Sequence, residues 1–285
     1  ITKSASKSYF TYQPLPWQTN SGTLSNNEEY PFLALTEGNY QYGDLACEVG
    51  IVTSNKATGS DTWTDVTEVT FKQPFPEGVT PIVLTEIRNP SYATASSSAT
   101  SLSARVFDVT NTGFKFIIYS EEASSRKIAL GQNVCYFAIT PGIGNVDDEN
   151  DFIIAAGQGI DSPVFGLSTH DNNFYLQTET GNEPLKFYQP TILVASQTNN
   201  YPAVIMLRRT DITEKDEDGT TWTTGVKIKR VLDHDLSVDG TSIKTTTTDE
   251  AYQDQIGWVA ISKYKSGGAT PTAIKTLAST PSAQK

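Results

Sequence analysis

Leu102-Ser103-Ala104-Arg105-Val106-Phe107-Asp108-Val109-Thr110-Asn111-Thr112-Gly113-Phe114-Lys115-Phe116-Ile117-Ile118-Tyr119 is the stretch on which the fold reading turns. Two runs rich in β-branched and aromatic residues flank a short segment of Asp, Thr, Asn and Gly, the composition of two strands and the turn between them. Asn111-Thr112-Gly113 is expected at the hairpin tip, with Gly113 supplying a positive φ. Before the turn, Leu102, Ala104 and Val106 alternate with Arg105 and Phe107. That imperfect alternation fits a strand covered in part on both faces.

Similar short runs recur at 66–71, 81–87 and 133–139, each bounded by turn residues, and no segment carries a helical period. The chain is therefore expected to be all-β, and its 285 residues suit two medium domains better than one large one. Residues 1–43, with Pro14, Pro16 and the tyrosines Tyr30, Tyr40 and Tyr42, read as an N-terminal extended arm holding one or two strands. Residues 44–142 form the first expected β-sandwich and 151–264 a second, divergent one. Between them, Pro141-Gly142-Ile143-Gly144-Asn145 and the acidic run Asp147 to Asp151 mark the boundary. The acidic run lacks the alternating oxygen ligands and central glycine of a calcium loop, so it reads as a solvated linker and no metal is expected. Residues 265–285, rich in Gly, Ala, Thr, Ser and Pro, read as a low-complexity tail.

The two halves echo each other. Cys47-Glu48-Val49-Gly50-Ile51-Val52-Thr53-Ser54 matches Ala155-Ala156-Gly157-Gln158-Gly159-Ile160-Asp161-Ser162. Val69-Thr70-Phe71-Lys72-Gln73-Pro74 matches Leu185-Lys186-Phe187-Tyr188-Gln189-Pro190. Gly113-Phe114-Lys115-Phe116 matches Gly225-Val226-Lys227-Ile228, and Val134 to Ile139 matches Ile256 to Ile261. Four matches in one order over this length indicate a duplicated domain rather than a solenoid. The last match makes Tyr136 and Trp258 equivalent core residues. The second unit's hairpin is expected to be longer, with its tip at Lys215-Asp216-Glu217-Asp218-Gly219.

A formal charge of −11, from 21 basic and 32 acidic residues, excludes a phosphate-backbone partner, so no nucleic acid is expected. No apolar run approaches the roughly 18 residues of a membrane helix, so no membrane insertion is expected. The chain begins at Ile1, read as a processed product. Its two cysteines, Cys47 and Cys135, form either one disulfide or two buried thiols. No Asn heads an acceptable Asn-x-Ser/Thr triplet, because Pro90 follows Asn89.

Val69 to Phe75, Pro81-Ile82-Val83-Leu84-Thr85 and Ala104 to Lys115 together resemble the H-type lectin family, typified by the snail agglutinin. The likeness covers residues 44–140 and reaches 151–264 mainly through the internal repeat. It implies a six-stranded antiparallel sandwich, an oligomer, and binding of terminal N-acetylgalactosamine or galactose without a cofactor. By that resemblance the family's Trp-His pair falls on Glu121-Glu122 in the first unit and on Asp233-His234 in the second. Its sugar-contacting Arg falls on Ser101, its structural Arg on Arg105, and the position that pairs with the first-strand Cys on Ile118.

The candidate ligand-binding residues are thus Asp61, Trp63, Glu121, Glu122, Asp171, Trp222, Asp233 and His234. Trp63, between Asp61 and Asp65, is the preferred ring for stacking on a sugar's apolar face, and Trp222 in the longer hairpin is next. His234 lies between two aspartates and His170 beside Asp171. Neither stands near a nucleophile motif, so no catalytic residue is expected. Two functions remain in view. One is an extracellular or surface-exposed recognition and adhesion protein that binds a glycan or other cell-surface ligand and self-associates. The other is a structural subunit of a filament, surface layer or virion fibre that assembles through its N-terminal arm.

Overall fold

The computed structural model describes residues 2–5, 10–12, 32–55, 66–88, 102–120, 131–147, 152–160, 172–176, 185–196, 203–232 and 255–263. These residues are all-β, with no helix among them. In chain order the strands are β1 (Thr2–Ala5), β2 (Phe10–Tyr12), β3 (Gly38–Tyr42), β4 (Leu45–Ser54), β5 (Thr67–Thr70), β6 (Ile82–Arg88), β7 (Leu102–Phe107) and β8 (Gly113–Ser120). There follow β9 (Gln132–Ile139), β10 (Gly142–Asp147), β11 (Phe152–Ile160), β12 (Asn172–Tyr175), β13 (Tyr188–Ser196), β14 (Ala203–Lys215), β15 (Thr221–Leu232) and β16 (Gln255–Lys263).

They form four sheets, ordered β2-β1-β6-β9-β4-β3, β5-β8-β7, β10-β11-β16-β13 and β12-β15-β14. Every described pairing is antiparallel except β1 with β6. The strand order repeats. Adding seven to each strand number converts β3-β4-β9-β6 into β10-β11-β16-β13, and β5-β8-β7 into β12-β15-β14.

Pairing register corrects two of the four sequence matches. Gly50 lies opposite Tyr136 and Gly157 opposite Trp258, so Cys47 corresponds to Ile154, one residue from the match drawn above. A one-residue slip inverts every side chain of a strand. The corrected register places Cys47 and Ile154 in one shared cluster. In the second case, the Phe71 and Phe75 N–H groups donate to Thr112 O and Asn111 O. Their counterparts Leu176 and Phe187 donate to Thr224 O and Thr223 O. Phe187 therefore takes the place of Phe75, not Phe71, and the second unit carries a longer excursion before it.

Three buried clusters hold the layers. Val69, Phe71, Phe75, Val83, Val106, Phe114, Phe116 and Tyr136 lie between the six-stranded sheet and β5-β8-β7, a sandwich-like packing. Ile153, Leu176, Phe187, Ile192, Val226 and Trp258 do the same between the four-stranded sheet and β12-β15-β14. The third cluster joins the outer faces of the two larger sheets through Leu45, Cys47, Ile82, Phe137, Ile139, Ile154, Ala156 and Val259. Within the segment between the halves, β10, from Gly142 to Asp147, is a strand paired with β11, and residues 148–151 lie outside the described residues. Likewise the proposed edge of the arm at residue 43 falls in the Gly43–Asp44 turn of the β3–β4 hairpin.

The hairpin at the opening stretch folds as expected, but its glycine serves another purpose. Positive φ falls on Asp108, at 48°, and not on Gly113. Gly113 is required because a Cβ there would collide with the carbonyl oxygen of Val69 on the paired strand β5. The second hairpin turns where composition placed it, with Gly219 N–H donating to Asp216 O at 2.9 Å and Asp216 N–H to Thr220 O at 3.0 Å.

Candidate functional site

Pairing defines two ends for each unit. In the first, Ser54 pairs with Gln132, Arg88 with Asn133, and Leu102 with Ser120. The Ser54 and Thr67 hydroxyls, 2.8 Å apart, tie the two sheets together at that same end. The connections 55–66, 89–101 and 121–131 all leave from it. In the second unit, Ile160 pairs with Gln255, Ser196 with Ile256, and Ala203 with Leu232, so the connections 161–171, 197–202 and 233–254 leave from the equivalent end.

Seven of the eight candidate ligand residues sit in these connections. Asp61, Trp63, Glu121 and Glu122 belong to the first unit, and Asp171, Asp233 and His234 to the second. All seven lie outside the described residues. Trp222 separates from this group. It pairs with Glu214 beside the hairpin tip, ten residues along β15 from Leu232. At about 3.3 Å per residue that is about 33 Å from the Asp233-His234 end.

Around Trp222 the chain builds a small polar and aromatic cluster. The indole Nε1–H donates to Asp216 Oδ2 at 2.5 Å, and the Tyr188 ring meets the indole edge-on, with centroids 6.2 Å apart. Lys186 Nζ lies 3.2 Å from Glu214 and 3.3 Å from Asp216, and hydrogen bonds to both carboxylates raise its pKa. Half-buried Trp222 is thereby fixed to its own hairpin. The Asp216 bond anchors the indole to the β14–β15 hairpin through its Nε1 edge.

The first unit holds a feature that pattern reading missed. Glu48 is buried, yet its carboxylate accepts from Lys72 N–H at 2.9 Å, from Gln73 N–H at 3.3 Å and from the Tyr136 hydroxyl at 2.6 Å. Burial and the neighbouring carboxylate raise the Tyr136 pKa. These bonds clamp the segment after Phe71 onto the six-stranded sheet and offset the cost of burying a charge. The available signal was a glutamate on the core-facing side of a strand. Among the described residues no three His, Cys, Asp or Glu side chains are grouped for a metal.

The disulfide alternative is corrected. Cys47 and Cys135 are free thiols on adjacent strands, but Cys47 pairs with Ile139 and Cys135 with Ile51. Four residues of offset put them about 13 Å apart along the sheet, well past the roughly 7 Å limit for bridging. Burial pushes the Cys47 thiol up to about 12. The resemblance-derived partner position, Ile118, is itself buried, on the opposite core. Arg105 is buried.

No protein-family model matches the chain, and neither curated proteins nor solved structures yield a match.

Proposed function

We propose that the chain is an extracellular, non-enzymatic recognition protein, made of two tandem H-type-lectin-like β-sandwiches, that binds carbohydrate through connections at one end of each unit. The observation that carries this reading is topological. Three connections leave each unit at the same end; five of the six have eleven residues or more, and among them they hold seven of the eight residues whose chemistry suits a sugar. Rigid sheets displaying variable loops are a common way to build a binding surface. Trp63 supplies the stacking face in the first unit, and His234 with Asp233 supplies polar contacts in the second.

A glycan array tests it. Full-length protein should retain a defined set of glycans, and Trp63→Ala or His234→Ala should each remove part of that signal. An array silent at all concentrations would refute it.

One observation favours the second reading, a structural subunit. Residues 1–43 supply strands at both margins of the six-stranded sheet, β1–β2 on one side and β3 on the other. A segment that pairs at sheet edges is also suited to joining subunits.

A further inference from the structure

The two margins of the six-stranded sheet are held very differently. β3 runs directly into β4 through the Gly43–Asp44 turn and pairs with it at five positions, from Gly38–Val49 to Tyr42–Leu45. β1 and β2 form a separate hairpin of four and three residues, paired through Thr2–Tyr12, Ser4–Thr11 and Ala5–Phe10. That hairpin meets the rest of the molecule in the sheet at one position, Thr2 beside Arg88 at the end of β6. The contact is parallel, the weaker pairing mode, and a two-stranded hairpin this short has little stability of its own.

We propose that the β1–β2 hairpin is an exchangeable arm, which leaves the β6 edge of its own chain and pairs with the β6 edge of a second copy. The same Thr2–Arg88 contact forms whether donor and acceptor belong to one chain or two, so exchange sacrifices no interaction. The balance is set by the effective concentration that the tether imposes against the concentration of other copies. Residues 13–31 separate β2 from the next described segment. A chain of that length reaches at most about 65 Å, enough to span to a neighbour. Because each copy carries one arm and one β6 edge, exchange makes either closed rings or open chains. The proposal deepens the assembly reading by naming its donor and its acceptor, and it is independent of any sugar site.

The test uses two full-length populations with different tags, one carrying Thr2→Cys and the other Arg88→Cys, both in a Cys135→Ser background. On mixing and mild oxidation, a disulfide-linked heterodimer should form in proportion to concentration. Light scattering should show that removing residues 1–12 from the otherwise native chain abolishes oligomers. A Thr2→Cys/Arg88→Cys double variant that bridges only within single chains at every concentration would overturn the exchange. Oligomers that survive loss of residues 1–12 would overturn it too, while leaving assembly by another surface standing. A chain that is monomeric throughout would overturn both.

Discussion

The two halves share a strand order and differ in how they fill the same core position. In β3–β9, Tyr136 lies over Gly50 and donates to buried Glu48, which in turn binds the backbone after Phe71. In β10–β16, Trp258 lies opposite Gly157, and the residue equivalent to Glu48 is Ala155. A fully buried indole thus replaces a hydrogen-bonded carboxylate network on one backbone plan. The second solution accompanies a longer excursion between Leu176 and Phe187, where the first unit turns tightly between Phe71 and Phe75. In the first unit the Lys72 and Gln73 N–H groups face the buried Glu48 carboxylate, which answers them.

The largest effect that would probe this contrast is Trp258→Ala. Emptying a fully buried position should cost about 3–5 kcal/mol, measured by urea unfolding. Because the third cluster couples the halves through Cys47 and Ile154, the loss should shift one common transition. Two separate transitions would show that the units fold apart.

Glu48→Ala should be next, at about 2–3 kcal/mol, since it strands two N–H groups and a hydroxyl in the core. A Glu48→Ala loss below about 0.5 kcal/mol would break the claim that the first unit depends on a polar clamp.

Alkaline titration sharpens the comparison from another side. The Cys47 pKa is raised by burial from 9.0 to about 12, so the folded state holds its proton more tightly than the unfolded state. Stability from this group is therefore complete below pH 9 and falls as pH rises from 9 toward 12. Cys47→Val should remove that part of the alkaline loss, as expected where the second unit already has Ile154. In the native protein at neutral pH, half-buried Cys135 should react with a thiol reagent before Cys47.

The smallest effect belongs to the hairpin anchor. Trp222→Phe removes the bond to Asp216 and should cost about 1 kcal/mol, with glycan binding unchanged. Loss of glycan signal in that variant would return Trp222 to the ligand site.

Much of the fold was legible in composition. Five of the first unit's strands, both hairpin turns, the repeated strand order and the core roles of Tyr136 and Trp258 follow from alternation, turn chemistry and self-similarity, which are local properties of the chain. What tertiary structure alone decided are matters of register and of which ends meet. Register set Cys47 opposite Ile139, ruling out the bridge, and replaced Phe71 by Phe75 as the partner of Phe187. It also revealed why position 113 must be glycine: the constraint comes from the Val69 carbonyl, far away in sequence, and not from the turn. The pairing of strand ends likewise set Trp222 ten residues along β15 from Leu232 and brought the starts of three connections to one end of each unit. Local sequence specifies which residues alternate and where the chain turns. Only cross-strand hydrogen bonding specifies which distant residue stands opposite, and contacts between remote residues follow from that.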